Sequence, residues 1–150
     1  MPIKVRSGGY LRGFTLIEIL LVVALIAILA TVTIVAINPA RNMANTRNAE
    51  RSSEVGQILN AVSQYLTEEG HTVSGLGTIA TCPAVTNIGS GTGNVNLAAV
   101  LVPVYIPAIP TDPVGGTAEN TGYTICVSAE NRFTVAAPGA EGGKTISVQR

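Results

Sequence analysis

From Phe14 to Ile37 the chain is apolar throughout, with Thr15, Glu18, Thr31 and Thr33 the exceptions and no polar face at any period. A run of this length, ~20 residues at ~1.5 Å each, predicts one helix able to cross a bilayer. Past Asn38-Pro39 the pattern becomes a stripe. Val55, Ile58, Leu59, Val62 and Leu66 recur at helical spacing, with Arg51, Glu54, Gln57, Asn60 and Gln64 between them. This predicts an amphipathic helix within 38–70, those five polar residues forming its solvated face. Gly70, just after Glu68-Glu69, predicts its end, and Asn38-Pro39 removes a backbone donor and predicts a kink at its start.

From His71 onward turns dominate. Residues 86–96 are a Gly/Ser/Thr/Asn loop, and 97–106 read as a short helix or an irregular apolar segment interrupted by Pro103. Pro107, Pro110 and Pro113 argue against regular structure as far as Gly116. Three short alternating runs close the chain, at 123–127, 132–136 and 145–148, and predict strands. Their short connections favour an antiparallel meander, against which the helix stripe can pack. The expected class is α+β.

Composition sharpens this picture. The formal net charge is zero and only 12% of residues are charged, so nothing in the balance suggests nucleic acid as a partner. The 47% hydrophobic content is densest in the N-terminal run, and the chain has no Trp and little Phe or Tyr. The remainder must therefore fold around a modest aliphatic core. Cys82 and Cys126 lie on the same side of the apolar run; if that side is extracytoplasmic, they read as a disulfide, the alternative being two buried thiols. Residues 1–13 carry Lys4, Arg6 and Arg12 and read as a processing leader. Their charge favours a cytoplasmic N-terminus, but Arg41, Arg47 and Arg51 balance it on the other flank. A cleavable secretory signal fits poorly, because the apolar run exceeds the ~7–15 residues of such a core.

The order Gly13-Phe14-Thr15-Leu16-Ile17-Glu18 after a basic segment resembles the type III signal of type IV pilins and type II secretion pseudopilins. The resemblance implies cleavage between Gly13 and Phe14 by a prepilin peptidase, followed by N-methylation of Phe14. It implies an assembly role for Glu18, an acid that is costly inside lipid unless relieved. The new Phe14 amine of a neighbouring subunit would neutralise it, the other reading being a carboxylate that snorkels to the interface or is protonated. Residues 105–113 are similar to the Pro-x-x-Pro-x-Asp-Pro stretch of major pseudopilins, whereas the family's frequent helix proline is replaced here by Val35.

The resemblance further implies a pilin-like layout: leader 1–13, transmembrane and filament-core helix 14–37, soluble half-helix 38–70, and an extracytoplasmic β-rich head 71–150. The long helix would pack on a small C-terminal antiparallel sheet. Expected partners are the prepilin peptidase, identical or related subunits, an inner-membrane assembly platform, and lipid before assembly. The location implied is a single-pass cell membrane protein with its N-terminus cytoplasmic, becoming a periplasmic or extracellular filament. The expected function is a structural filament subunit of a pilus-like fibre or secretion pseudopilus.

The sequence also admits two other readings. A membrane-anchored extracellular enzyme would need a catalytic set, and the sequence offers no catalytic residues, no metal ligands and no cofactor motif. His71 is the only histidine and is expected in solvent. Gly89-Ser90-Gly91-Thr92-Gly93 lacks the Gly-Lys-Ser/Thr ending of a phosphate loop. Some major pseudopilins bind calcium in a C-terminal loop, but Asp112, Glu119, Glu130 and Glu141 are scattered and form no motif. A DNA-uptake (competence) pilin would need a basic face, and the few Lys and Arg are matched by acids.

Overall fold

The computed structural model describes residues 13–150; the leader with Lys4, Arg6 and Arg12 lies outside them except for Gly13. The described residues divide into two compact units, one ending at Pro39 and one covering Ala40–Arg150.

In the first unit, helix α1 covers Leu16–Ile37. Thr15 caps it in extended conformation, and Glu18 completes a capping box. Thr31 and Thr33 donate their hydroxyls to the carbonyls of Ala27 (2.8 Å) and Ala30 (2.9 Å). These polar side chains are thus satisfied within the helix, as an apolar surrounding demands. No residue of α1 is buried. The helix ends at Asn38, in left-handed conformation at φ 46° and ψ 76°. A residue before proline is disfavoured in the right-handed helical region, and asparagine tolerates the left-handed one. The interruption therefore falls where Asn38-Pro39 placed it.

Helix α2, Pro39–Thr67, begins with that proline at a position where a missing N–H costs no helical bond. In the second unit Val55, Ile58, Leu59, Val62 and Tyr65 of α2 join one core with Tyr123, Ile125, Phe133 and Val135 of the sheet region. Leu66, expected on the stripe, is only half-buried; Tyr65 takes the deeper place. A 3₁₀ turn, Val73–Leu76, and a one-turn helix α3, Ala98–Leu101, cover further core. The C-terminal half of 97–106 and the segment through Gly116 are turns and irregular backbone.

The sheet has the antiparallel order β1-β2-β3-β4, with β1 Thr86–Asn87, β2 Thr124–Val127, β3 Phe133–Ala136 and β4 Ser147–Gln149. The last three are the expected meander, with Ile125 opposite Val135 and Val135 opposite Val148. The two-residue β1 corrects the reading of 86–96 as loop alone. Thr86 pairs with Ile125, a long-range contact that a Gly/Thr/Asn-rich run does not announce. The class is α+β, with α2 laid against a small antiparallel sheet.

Candidate functional site

The start of α1 is built by Thr15 and Glu18. The Thr15 backbone N–H and hydroxyl both donate to Glu18 Oε2, at 2.7 and 2.9 Å, while Glu18 N–H donates to Thr15 Oγ1 at 3.3 Å. The Thr-x-x-Glu spacing is the sequence signature of this box, and it identifies Thr15 as a partner that the reading of Glu18 alone omits. Both Thr15 donors meet one oxygen; among the described residues Oε1 has no donor. Phe14, the residue that cleavage would make the N-terminus, is 85% exposed among the described residues. At Gly13 an added Cβ would meet nothing within 4 Å. The fold itself does not require glycine there.

The apolar surface of α1 forms the other half of this site. Leu20, Leu21, Val23, Ile26, Leu29 and Val32 are each more than half exposed. At 22 residues the helix is about 33 Å long, enough for a hydrocarbon layer of ~30 Å. By length and composition it is a candidate membrane span.

The second unit holds the remaining candidates. Cys82 and Cys126 form a disulfide, with Cα atoms 5.3 Å apart and a sequence separation of 44. It ties the segment before β1 to strand β2. In the chain-entropy model a loop of this size stabilises the fold by about 4 kcal/mol.

Arg51 is the clearest correction. Expected on the solvated face, it is 1% exposed and sits one turn before Val55 on the buried stripe. Its guanidinium holds Asp112 with two parallel bonds, Nε to Oδ2 at 2.7 Å and Nη2 to Oδ1 at 2.9 Å. Nη1 reaches Glu141 Oε1 at 2.9 Å and Asn48 Oδ1 at 3.1 Å. Arg47 also binds Glu141, Nε to Oε1 at 2.6 Å and Nη2 to Oε2 at 2.5 Å. The Asn48 amide binds the backbone of Glu141 through both its groups. Hydrogen bonds from Arg47 and Arg51 hold the Glu141 carboxyl down to about 2, and Arg51 likewise holds Asp112 below the usual carboxylate range. Extending the stripe one turn back from Val55 would have shown an arginine on an apolar face, which calls for a buried acid.

Glu54, also expected in solvent, is half-buried and accepts a hydrogen bond from the hydroxyl of the fully buried Tyr123. Burial raises the Glu54 carboxyl above its ordinary range and raises the Tyr123 phenol too. His71 is half-buried rather than in solvent. Its ring stacks on Tyr65 with centroids 4.1 Å apart, and Nδ1 lies 3.0 Å from the Tyr65 carbonyl. Tyr105 donates to Glu68 at 2.6 Å beside it, which pushes the phenol up to about 12. In the glycine-rich segment, Gly91 N–H and the Asn94 amide bind the Glu119 carbonyl; these donors serve the protein's own backbone. Among the described residues no group of three or more His, Cys, Asp or Glu is placed to hold a metal ion.

No curated protein and no solved structure matches the chain. Residues 11–34 match the family model described as the prokaryotic N-terminal methylation motif, so the chain carries the prepilin signature of type IV pilins and pseudopilins.

Proposed function

We propose that the protein is a structural filament subunit, stored in the membrane through α1, cut between Gly13 and Phe14, methylated on the Phe14 amine, and assembled by the same helix. The observation that carries this reading is the conjunction of the methylation motif at residues 11–34 with an apolar helix of 22 residues, none of them buried. A soluble fold does not leave such a helix uncovered; lipid covers it before assembly and neighbouring α1 helices afterwards.

Each residue then has a task. Gly13 offers the peptidase a backbone without a side chain, and the absence of any steric need for glycine in the fold supports that demand coming from outside the chain. Cleavage frees a cation at Phe14, and methylation preserves its charge. Glu18, with Oε2 engaged by Thr15, keeps Oε1 for the Phe14 amine of the next subunit. In a medium of low dielectric a mismatched pair is penalised, so the contact selects helix register more than it adds raw stability. The other expected partners, an inner-membrane assembly platform and related subunits, follow from this role, as does a head exported beyond the membrane, where a disulfide persists.

The test is N-terminal sequencing of protein from its native membrane, or from cells supplying a prepilin peptidase. The expected start is N-methylated Phe14. A mature chain starting at Met1, or cut beyond Ile37, defeats the reading. Replacing Gly13 by a bulky residue is expected to leave uncleaved precursor in the membrane.

A further inference from the structure

Four oxygens from three segments converge on one guanidinium. Asp112 Oδ2 and Oδ1 lie 2.7 and 2.9 Å from Arg51 Nε and Nη2, and Glu141 Oε1 and Asn48 Oδ1 lie 2.9 and 3.1 Å from Nη1. Carboxylate and amide oxygens around a central charge are the donor set of a hard divalent cation such as calcium. Here the central charge is a side chain fixed to α2. It joins α2 to the proline-rich segment, through Asp112, and to the β3–β4 connection, through Glu141.

The space around Asp112 is closed. An added Cβ at Gly139 would stand 2.7 Å from Asp112 Oδ2, and one at Gly122 (φ +83°) would stand 2.7 Å from Asp112 Cβ. Asp112 Oδ1 also accepts the Val114 N–H at 2.7 Å, so both its oxygens are occupied. Among the described residues no buried side-chain nitrogen or oxygen lacks a partner. A divalent ion does not fit with Arg51 in place. It would have to displace the guanidinium and then stand beside Arg47, whose charge Glu141 already meets.

We infer that Arg51 is a built-in cation that closes two loops of the second unit onto α2, and that the folding of residues 40–150 is therefore independent of divalent cations. The planar fork is essential to this role. A lysine carries the same charge as a single point and cannot bridge both Asp112 oxygens and Glu141 together.

The experiment is thermal unfolding of the full chain in detergent, followed by near-ultraviolet circular dichroism and by protease resistance of the second unit. The wild-type midpoint is expected to be the same, within about two degrees, in a chelator and in millimolar calcium. Arg51→Met is expected to lower it by roughly ten degrees or more in both buffers, because a buried carboxylate loses its partner. Arg51→Lys is expected to lower it by less in both, because the charge stays but the fork that bridges Asp112 and Glu141 is lost. Should Arg51→Met fail to fold, the double variant Arg51→Met, Asp112→Asn, which leaves Glu141 paired with Arg47, carries the test. With the buried unpaired carboxylate removed, it is expected to fold and to be more stable than Arg51→Met. A chelator-induced fall in the wild-type midpoint overturns the inference. So does an Arg51→Met chain with wild-type stability, or a double variant no more stable than the single one. The inference does not rest on the filament reading, since none of these measurements requires cleavage or assembly.

Discussion

Helices α1 and α2 adjoin in sequence and are both long, at 22 and 29 residues, yet α1 buries nothing and α2 buries eight residues. The apolar residues of α1 surround its axis, so no single face could be served by one sheet; such a helix is written for a medium or for several like neighbours. Those of α2 form a stripe, and the chain's own sheet covers that stripe. The polar residues differ in the same sense. In α1 they are satisfied locally, Thr15 with Glu18 and the two threonines with carbonyls one turn back. In α2 the buried ones are satisfied at long range, Arg51 by Asp112 and Glu141. On the proposed reading α1 is covered by what lies outside the chain and α2 by the fold, so changes in assembly and changes in stability are expected to separate.

The contrast breaks if one substitution moves both properties. Glu18→Leu is expected to lower sheared filament per processed subunit on the order of tenfold or more, through loss of the neighbour's counter-charge in a low-dielectric setting. Membrane insertion is expected to hold or improve, cleavage after Gly13 to survive, and the unfolding midpoint of the second unit to stay unchanged. Normal filament yield from fully processed Glu18→Leu protein would falsify the pairing role.

A matched pair of core-type substitutions sharpens the same division. Ile58→Ala removes a fully buried side chain and is expected to destabilise the second unit by about 2–5 kcal/mol in denaturant titration. Ile26→Ala changes a residue 59% exposed in the isolated chain and is expected to change that stability by less than ~0.5 kcal/mol. Equal losses would mean that the two units are not energetically distinct.

Removing the disulfide acts on the second unit alone. Cys82→Ser with Cys126→Ser is expected to cost about 3–4 kcal/mol, read as a lower denaturant midpoint, while insertion of α1 is unaffected. Two freely alkylated thiols in exported wild-type protein would sink this expectation.

The smallest expected effect is that of pH. The carboxyls of Asp112 and Glu141 are held down in the folded state, so their stabilisation is fully present above the unfolded carboxylate value of ~4. It is lost as pH falls, for Glu141 between ~4 and about 2. Glu54 runs the other way, because burial favours its protonated form in the fold. The midpoint is expected to fall below about pH 4, less steeply in Glu141→Gln than in the wild type. Equal slopes for the two proteins would remove Glu141 from the acid response.

The sequence by itself determined what depends on neighbours within a few turns of chain. The apolar run, the Thr15–Glu18 box, the Asn38-Pro39 interruption, the 55–62 stripe and the three C-terminal strands all follow from periodicity, capping and proline geometry. The methylation motif is equally local. Only the tertiary structure decided which polar residues go inside. Arg51 and Glu54 looked like a solvated face because their partners Asp112, Glu141 and Tyr123 stand 61, 90 and 69 residues away. The same holds for β1, whose pairing with β2 spans the chain between Asn87 and Thr124, and for His71, whose stacking on Tyr65 depends on the turn after α2. A local pattern fixes which face of an element is apolar. Whether a charge on that face is buried depends on an opposite charge brought there by folding, because a lone buried ion is too costly to keep.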